Sequence, residues 1–297
     1  MSDDEIKKLT LDLIQAESEK AVVSILDKAR LWSDKKLWKE VNESSGNWST
    51  IGSQQNAPDA ALVEKIINSV DAMLMKECLV RGVEPTSSEA PKSILQAQKE
   101  YFGISNGKLS SISARIRSNI AENIFLVTSG KKTSPSYAIV DQGEGQSPEK
   151  FPDTFLSLNR GNKSRVQFVQ GKFGMGGTGV LRFGGQEHRL QLIVSKRNQK
   201  INNTETNNSW GMTVMRRIRP NNQMRNSVFH YLTINNNIPS FKSNELPLLP
   251  DDSLGPYKKT LEHGTFIKIY DYQMSTCLLY TSPSPRDRTR SRMPSSA

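Results

Sequence analysis

Cysteine is nearly absent from this chain. Its 297 residues include only Cys78 and Cys277, too few for a disulfide framework, so a reducing, cytoplasmic setting is the expectation. No apolar run approaches the ~20 residues that cross a bilayer, so no spanning helix and no membrane partner are expected. The opening Met1-Ser2-Asp3-Asp4-Glu5 is acidic and has no apolar core behind it, so it does not read as a secretory leader. Histidine is also scarce: His188, His230 and His263 are the only three, and residues 1–187 contain none. No Gly-Lys-Ser/Thr triplet follows the glycine-rich stretch, which excludes a P-loop there.

What is present suits a folded, water-exposed protein: 35% hydrophobic and 24% charged residues. The formal net charge of +10 permits nucleic acid or other anionic partners. From Cys277 onward the chain reads Cys-Leu-Leu-Tyr-Thr-Ser-Pro-Ser-Pro-Arg-Asp and then an Arg/Ser/Pro tail. Segment 277–297 resembles a translated sequencing adapter and is set aside from the fold as a disordered, artefactual tail. Its Arg286, Arg288, Arg290 and Arg292 stand against Asp287 alone, so it supplies +3 of the +10. On that reading a real C-terminal portion is missing.

Helical spacing runs through residues 3–31, carried by Ile6, Leu9, Leu13 and Ile14 and then Val22, Ile25, Leu26 and Ala29. A Ser/Asn/Gly-rich loop covers 44–59, and a strong helix is predicted over 60–80 behind the start signal Pro58-Asp59. Residues 83–98 read as a surface loop and 108–122 as another amphipathic helix. Strands are then expected at 123–128, 137–140, 190–195, 212–218, 229–234 and 265–270. Helices first and strands after predict an α+β fold, a two-layer α/β sandwich with helices on one face of a mixed, mostly antiparallel sheet.

Four short motifs carry the chemistry. On the 60–80 helix, Glu64, Asn68 and Asp71 fall within one narrow sector, with Val63, Ile66, Ile67, Val70 and Leu74 outside it as a buried aliphatic stripe. A carboxylate there can act as general base on water, and an amide oxygen suits Mg²⁺. Next, Asp141-x-Gly143-x-Gly145 follows the apolar run 137–140. A carboxylate at a strand end can accept from an exocyclic amine, while the glycines admit a tight turn and a flat ring. The third motif is Gly171-Lys172-Phe173-Gly174-Met175-Gly176-Gly177-Thr178-Gly179, with five glycines in nine residues. Exposed backbone N–H groups opening a helix make an anion nest. The run follows a polar loop of ~25 residues rather than a short βα turn, which argues against a Rossmann fingerprint. The fourth is His263-Gly264-Thr265, at the start of a strand.

Together the four motifs resemble those of the GHKL superfamily (gyrase B, the large heat-shock chaperone, histidine kinases and MutL), the Bergerat ATP-binding fold. The resemblance covers about residues 55–272. It implies that Glu64 activates the attacking water, that Asn68 ligates Mg²⁺ and that Asp71 belongs to the same nucleotide-binding box. Asp141 would read the adenine amine with Thr265 in support, beside Gly143 and Gly145. Gly171 and the backbone of Gly174, Met175, Gly176, Gly177 and Thr178 would hold the phosphates. Segment 146–170 would be the ATP lid, with Arg160, Lys163 and Arg165 facing triphosphate. Residues 1–54 are an N-terminal extension suited to an ATP-dependent homodimer, and 81–122 an insertion.

The missing histidines ahead of residue 187 point away from histidine kinases, and Asn68-Ser69-x-Asp71-Ala72 resembles the gyrase, MutL and chaperone branches. The expectation is an ATPase that hydrolyses slowly and drives a clamp-like switch on DNA or a client protein. A protein serine kinase of the same fold and a non-hydrolysing ATP-binding assembly module are the alternatives.

Overall fold

The computed structural model describes residues 1–41, 57–157, 165–171, 179–201, 208–220, 227–248 and 260–274. Helices α1 (Asp3–Gln15) and α2 (Glu19–Lys28) are followed by strand β1 (Trp38–Glu40), α3 (Pro58–Val80), α4 (Ile94–Phe102) and α5 (Ala114–Ala121). Then come β2 (Ile124–Lys131), β3 (Ser134–Asp141), β4 (Gln191–Lys196), β5 (Ser209–Ile218), β6 (Val228–Leu232), β7 (Ser240–Lys242), β8 (Leu246–Pro247), β9 (Thr260–Leu261) and β10 (Gly264–Ile269). The large sheet has the order β1-β6-β5-β4-β10-β3-β2, with β7 also on β5, and every described pairing is antiparallel. The expected α+β class with a mostly antiparallel sheet is therefore present, and the six anticipated strands all form within a few residues of their expected bounds.

Alternation along the strands gives the sheet two apolar faces. On one, Ala138, Val140, Leu192 and Val194 share a core with Leu9, Leu13, Val22 and Leu26 of α1 and α2. On the other, Tyr137, Ile139 and Ile269 pack with Ala61 and Leu62 of α3, while Ile193 and Met215 pack with Phe151 and Leu181. Within 55–272 the helical layer thus lies on one face, and the N-terminal extension covers the reverse.

Local chemistry sets these elements. Ser2 and Glu5 close a capping box on α1, and Ser18 caps α2. The far end of α1 is held by the sheet: the Tyr270 hydroxyl donates to the Leu13 carbonyl at 2.7 Å, and Lys268 Nζ to the Ile14 carbonyl at 2.8 Å. These groups satisfy carbonyls that a helix end leaves open. The buried Glu19 carboxylate accepts from the backbone N–H groups of Glu187, His188 and Leu190, at 3.0–3.3 Å. Two helices and a distant loop are so joined to one sheet.

The face that α3 buries differs from expectation. Ala61, Leu62, Lys65, Ser69, Asp71, Met73, Leu74 and Cys78 are buried, whereas Val63 is 53% exposed. Of the anticipated stripe only Leu74 is inside. Small residues at 61, 69 and 72 let the helix approach backbone closely, and that approach outweighs the larger side chains' preference for the interior. Within 81–122, α4 packs through Ala97 against Leu74 and Cys78, and no residue of α5 is buried. Residues 94–98, read as loop, are helical. No helix among the described residues is long and apolar enough to cross a membrane.

Candidate functional site

Helix α3 begins with Pro58 in its first turn, where the missing N–H costs nothing. It brings two of the motifs together through consecutive residues. Asp71, fully buried, accepts the Gln170 N–H at 3.0 Å with Oδ1 and the Gly171 N–H at 2.8 Å with Oδ2. Its neighbour Ala72 accepts the Glu144 N–H on its carbonyl at 3.2 Å. The first residue of the glycine run and the turn after β3 are therefore fixed to the same helical turn, although 71, 144 and 171 lie far apart in sequence.

Close approach explains the glycines. A Cβ at Gly143 would stand 2.6 Å from Ala72 Cβ and 2.7 Å from Asp141 Oδ1, and one at Gly171 only 2.9 Å from Asn68 Oδ1. Gly145 adopts φ +60 and abuts the Lys196 carbonyl, a position any side chain would fill. Around this turn the Arg197 guanidinium bonds Glu144 at 2.7 Å and the Gly145 carbonyl at 3.1 Å, and the Asn198 N–H reaches the Glu144 carbonyl at 2.9 Å. Asp141 itself accepts the Gly143 N–H at 3.0 Å.

The sheet brings the remaining residues together. Thr265 lies directly opposite Asp141 on β3 and opposite Ser195 on β4. Residues facing each other across antiparallel strands point to one side, so Asp141, Thr265 and Ser195 form a row on the face that α3 covers. Ser195 is engaged three times: it accepts the Gln146 N–H at 2.9 Å, donates to the Gly264 carbonyl at 2.8 Å and lies 3.1 Å from Thr265 Oγ1. Beside the row, His263 Nε2 is 3.1 Å from Asn198 Nδ2, and burial, then Lys76, lowers its pKa.

Glu64 sits on α3 one turn before Asn68 and is half-buried. Lys65 beside it is buried, and desolvation, partly offset by Glu64, lowers its pKa to about 8. Gly174, Met175, Gly176, Gly177 and Thr178 lie outside the described residues, as do Arg160, Lys163 and the tail from 277. Both flanks of the 172–178 stretch are described, and both rest on α3: Gly171 on Asp71 at one end, Val180 against Ala61 and Leu62 at the other. Those anchors are ten residues apart, about 15 Å along the helix axis, with Glu64 and Asn68 between them.

The 146–170 segment is folded onto the protein where described. Phe151 lies beneath Gly211, its Cζ 2.9 Å from where a Cβ would stand, and Val166, Phe168 and Val169 pack with Leu74 and Cys78. Arg165 is exposed. Sequence reasoning missed two residues. Ser195 ends an apolar run and looks like any strand residue; only the register opposite Thr265 marks it. Lys65 follows Glu64 directly, and nothing in its spacing shows that it is buried. Comparison with protein-family models and with curated proteins finds no match to this chain.

Proposed function

We propose that the chain binds Mg-ATP beside α3, the turn 141–146 and Gly171, and that it hydrolyses ATP slowly to drive a conformational switch. One observation carries this reading: consecutive residues of one helix, Asp71 and Ala72, hold Gly171 and the Asp-x-Gly-x-Gly turn at the helical turn that also bears Asn68. A helix-borne amide beside a glycine-rich run suits a triphosphate, and an acceptor row at a strand end suits an amino-substituted ring.

The residues fit the expected metal. Asn68 presents an amide oxygen at the start of the glycine run, and Mg²⁺ travelling with nucleotide phosphates takes only one or two protein oxygens. When bound, Mg²⁺ supplies charge neutralisation of the triphosphate. Glu64, one turn earlier, accepts the proton of the water that attacks the terminal phosphorus, and ADP leaves with the electron pair of the broken P–O bond. Asp141 and Thr265 hold the base.

Labelled ATP with Mg²⁺ tests the reading. Release of free phosphate supports it. Label transferred to protein serine supports the kinase alternative, and binding with neither outcome supports an assembly module. Glu64→Ala is expected to abolish turnover while sparing nucleotide affinity; normal hydrolysis by that variant removes Glu64 from the role of base.

A further inference from the structure

The hydrogen-bond directions around Ser195 are forced. A backbone N–H can only donate and a carbonyl can only accept. The Gln146 N–H at 2.9 Å therefore uses one Ser195 lone pair, and the Gly264 carbonyl at 2.8 Å takes the Ser195 proton. A hydroxyl has one proton and two lone pairs. What remains to meet Thr265 Oγ1 at 3.1 Å is the second lone pair, so Thr265 must be the donor of that bond. Ser195 is fully buried and Thr265 nearly so, which leaves neither hydroxyl a ready exchange with bulk water. With its proton committed, Thr265 offers a ligand only lone pairs. Directly across β10 and β3, the Asp141 carboxylate likewise offers only lone pairs.

We propose that Ser195 is a positioning residue that fixes the Thr265 hydroxyl as an acceptor, making the Asp141–Thr265 row select a 6-aminopurine over a 6-oxopurine nucleotide. An exocyclic amine brings two N–H donors to two acceptors. A carbonyl at the same ring position faces two acceptors and gains nothing. The proposal rests on the nucleotide-binding reading above and deepens it, since Ser195 acts through Thr265 and touches no ligand itself.

ADP and IDP, which differ at that ring position, are the probes, with Mg²⁺ and titration calorimetry. Wild-type protein is expected to prefer ADP. Ser195→Ala frees the Thr265 hydroxyl to turn its proton toward a 6-oxo group, and the ADP/IDP affinity ratio is expected to fall about tenfold, one hydrogen bond's worth. Thr265→Val lowers the ratio too, and adding Ser195→Ala in that background changes it no further, because no hydroxyl is left to orient. A merely structural Ser195 would weaken both nucleotides alike and leave the ratio unmoved in either background. Wild-type protein that binds neither nucleotide overturns the nucleotide reading. Wild-type protein that binds both equally, or a ratio unchanged by Ser195→Ala, overturns the role of Ser195 alone.

Discussion

Asp71→Asn isolates the tether between α3 and the glycine run. The carboxylate receives two backbone N–H groups, from Gln170 at 3.0 Å and Gly171 at 2.8 Å, and is fully buried. Hydrogen bonds to a charged acceptor contribute about 1.5–3 kcal/mol each. Asparagine keeps one oxygen and sets an NH₂ against the second N–H, so one bond is lost and a buried donor meets a donor. The local cost is expected to be about 2–4 kcal/mol, or roughly 30- to 1,000-fold in the closed-to-open ratio of residues 170–171. If the glycine run must be docked to bind phosphates, apparent affinity falls with the fraction docked. Hydrogen exchange at the Gln170 and Gly171 amides reads the opening directly, and calorimetry with Mg-ADP reads its consequence. Exchange as slow as in the wild type would refute the assigned strength of the tether. Fast exchange with unchanged Mg-ADP affinity would refute its place in the binding site.

Three other outcomes follow from the same geometry. Burial lowers the pKa of Lys65 and of Lys268 from 10.5 to about 8. Between about pH 8 and 10 the unfolded chain then binds more protons than the folded one, so stability is expected to rise with pH; urea melts of Lys65→Met should show a shallower rise, and an identical slope would mean that burial does not lower the Lys65 pKa. Gly143→Ala puts a methyl 2.6 Å from Ala72 Cβ and 2.9 Å from its carbonyl carbon, and overpacking of this kind costs about 1–3 kcal/mol; a denaturation midpoint equal to wild type would show that the turn can back away from α3. Glu19→Gln removes the charge that three loop N–H groups share, for an expected loss of about 2–4 kcal/mol and faster proteolytic release of residues 1–31, against which an unaltered cleavage pattern would count.

The chain's own pattern determined the long helices and the six long strands, because helical and alternating periodicities are local properties of side-chain spacing, while the short strands β1, β7, β8 and β9 and the helix α4 carry too little of either to be read. Runs such as 190–195 and 265–270 are apolar enough to be strands in almost any context, and Pro58-Asp59 marks the start of α3, whereas the helix that Ser93 caps lies in a stretch that reads as loop. The grouping of Glu64, Asn68 and Asp71 also followed from the helical repeat alone. The tertiary structure decided what each face meets. Val63 was left in solvent and Lys65 taken inside because α3 must come within contact of the Gly143 turn, a demand written at residue 143 and not on the helix. The burial of Glu19 beneath the loop at 187–190, and the row that Ser195 forms with Thr265 and Asp141, depend on strand order and register. Those are long-range matters: a one-residue shift would send Ser195 to the opposite face of the sheet, and no local spacing forbids it.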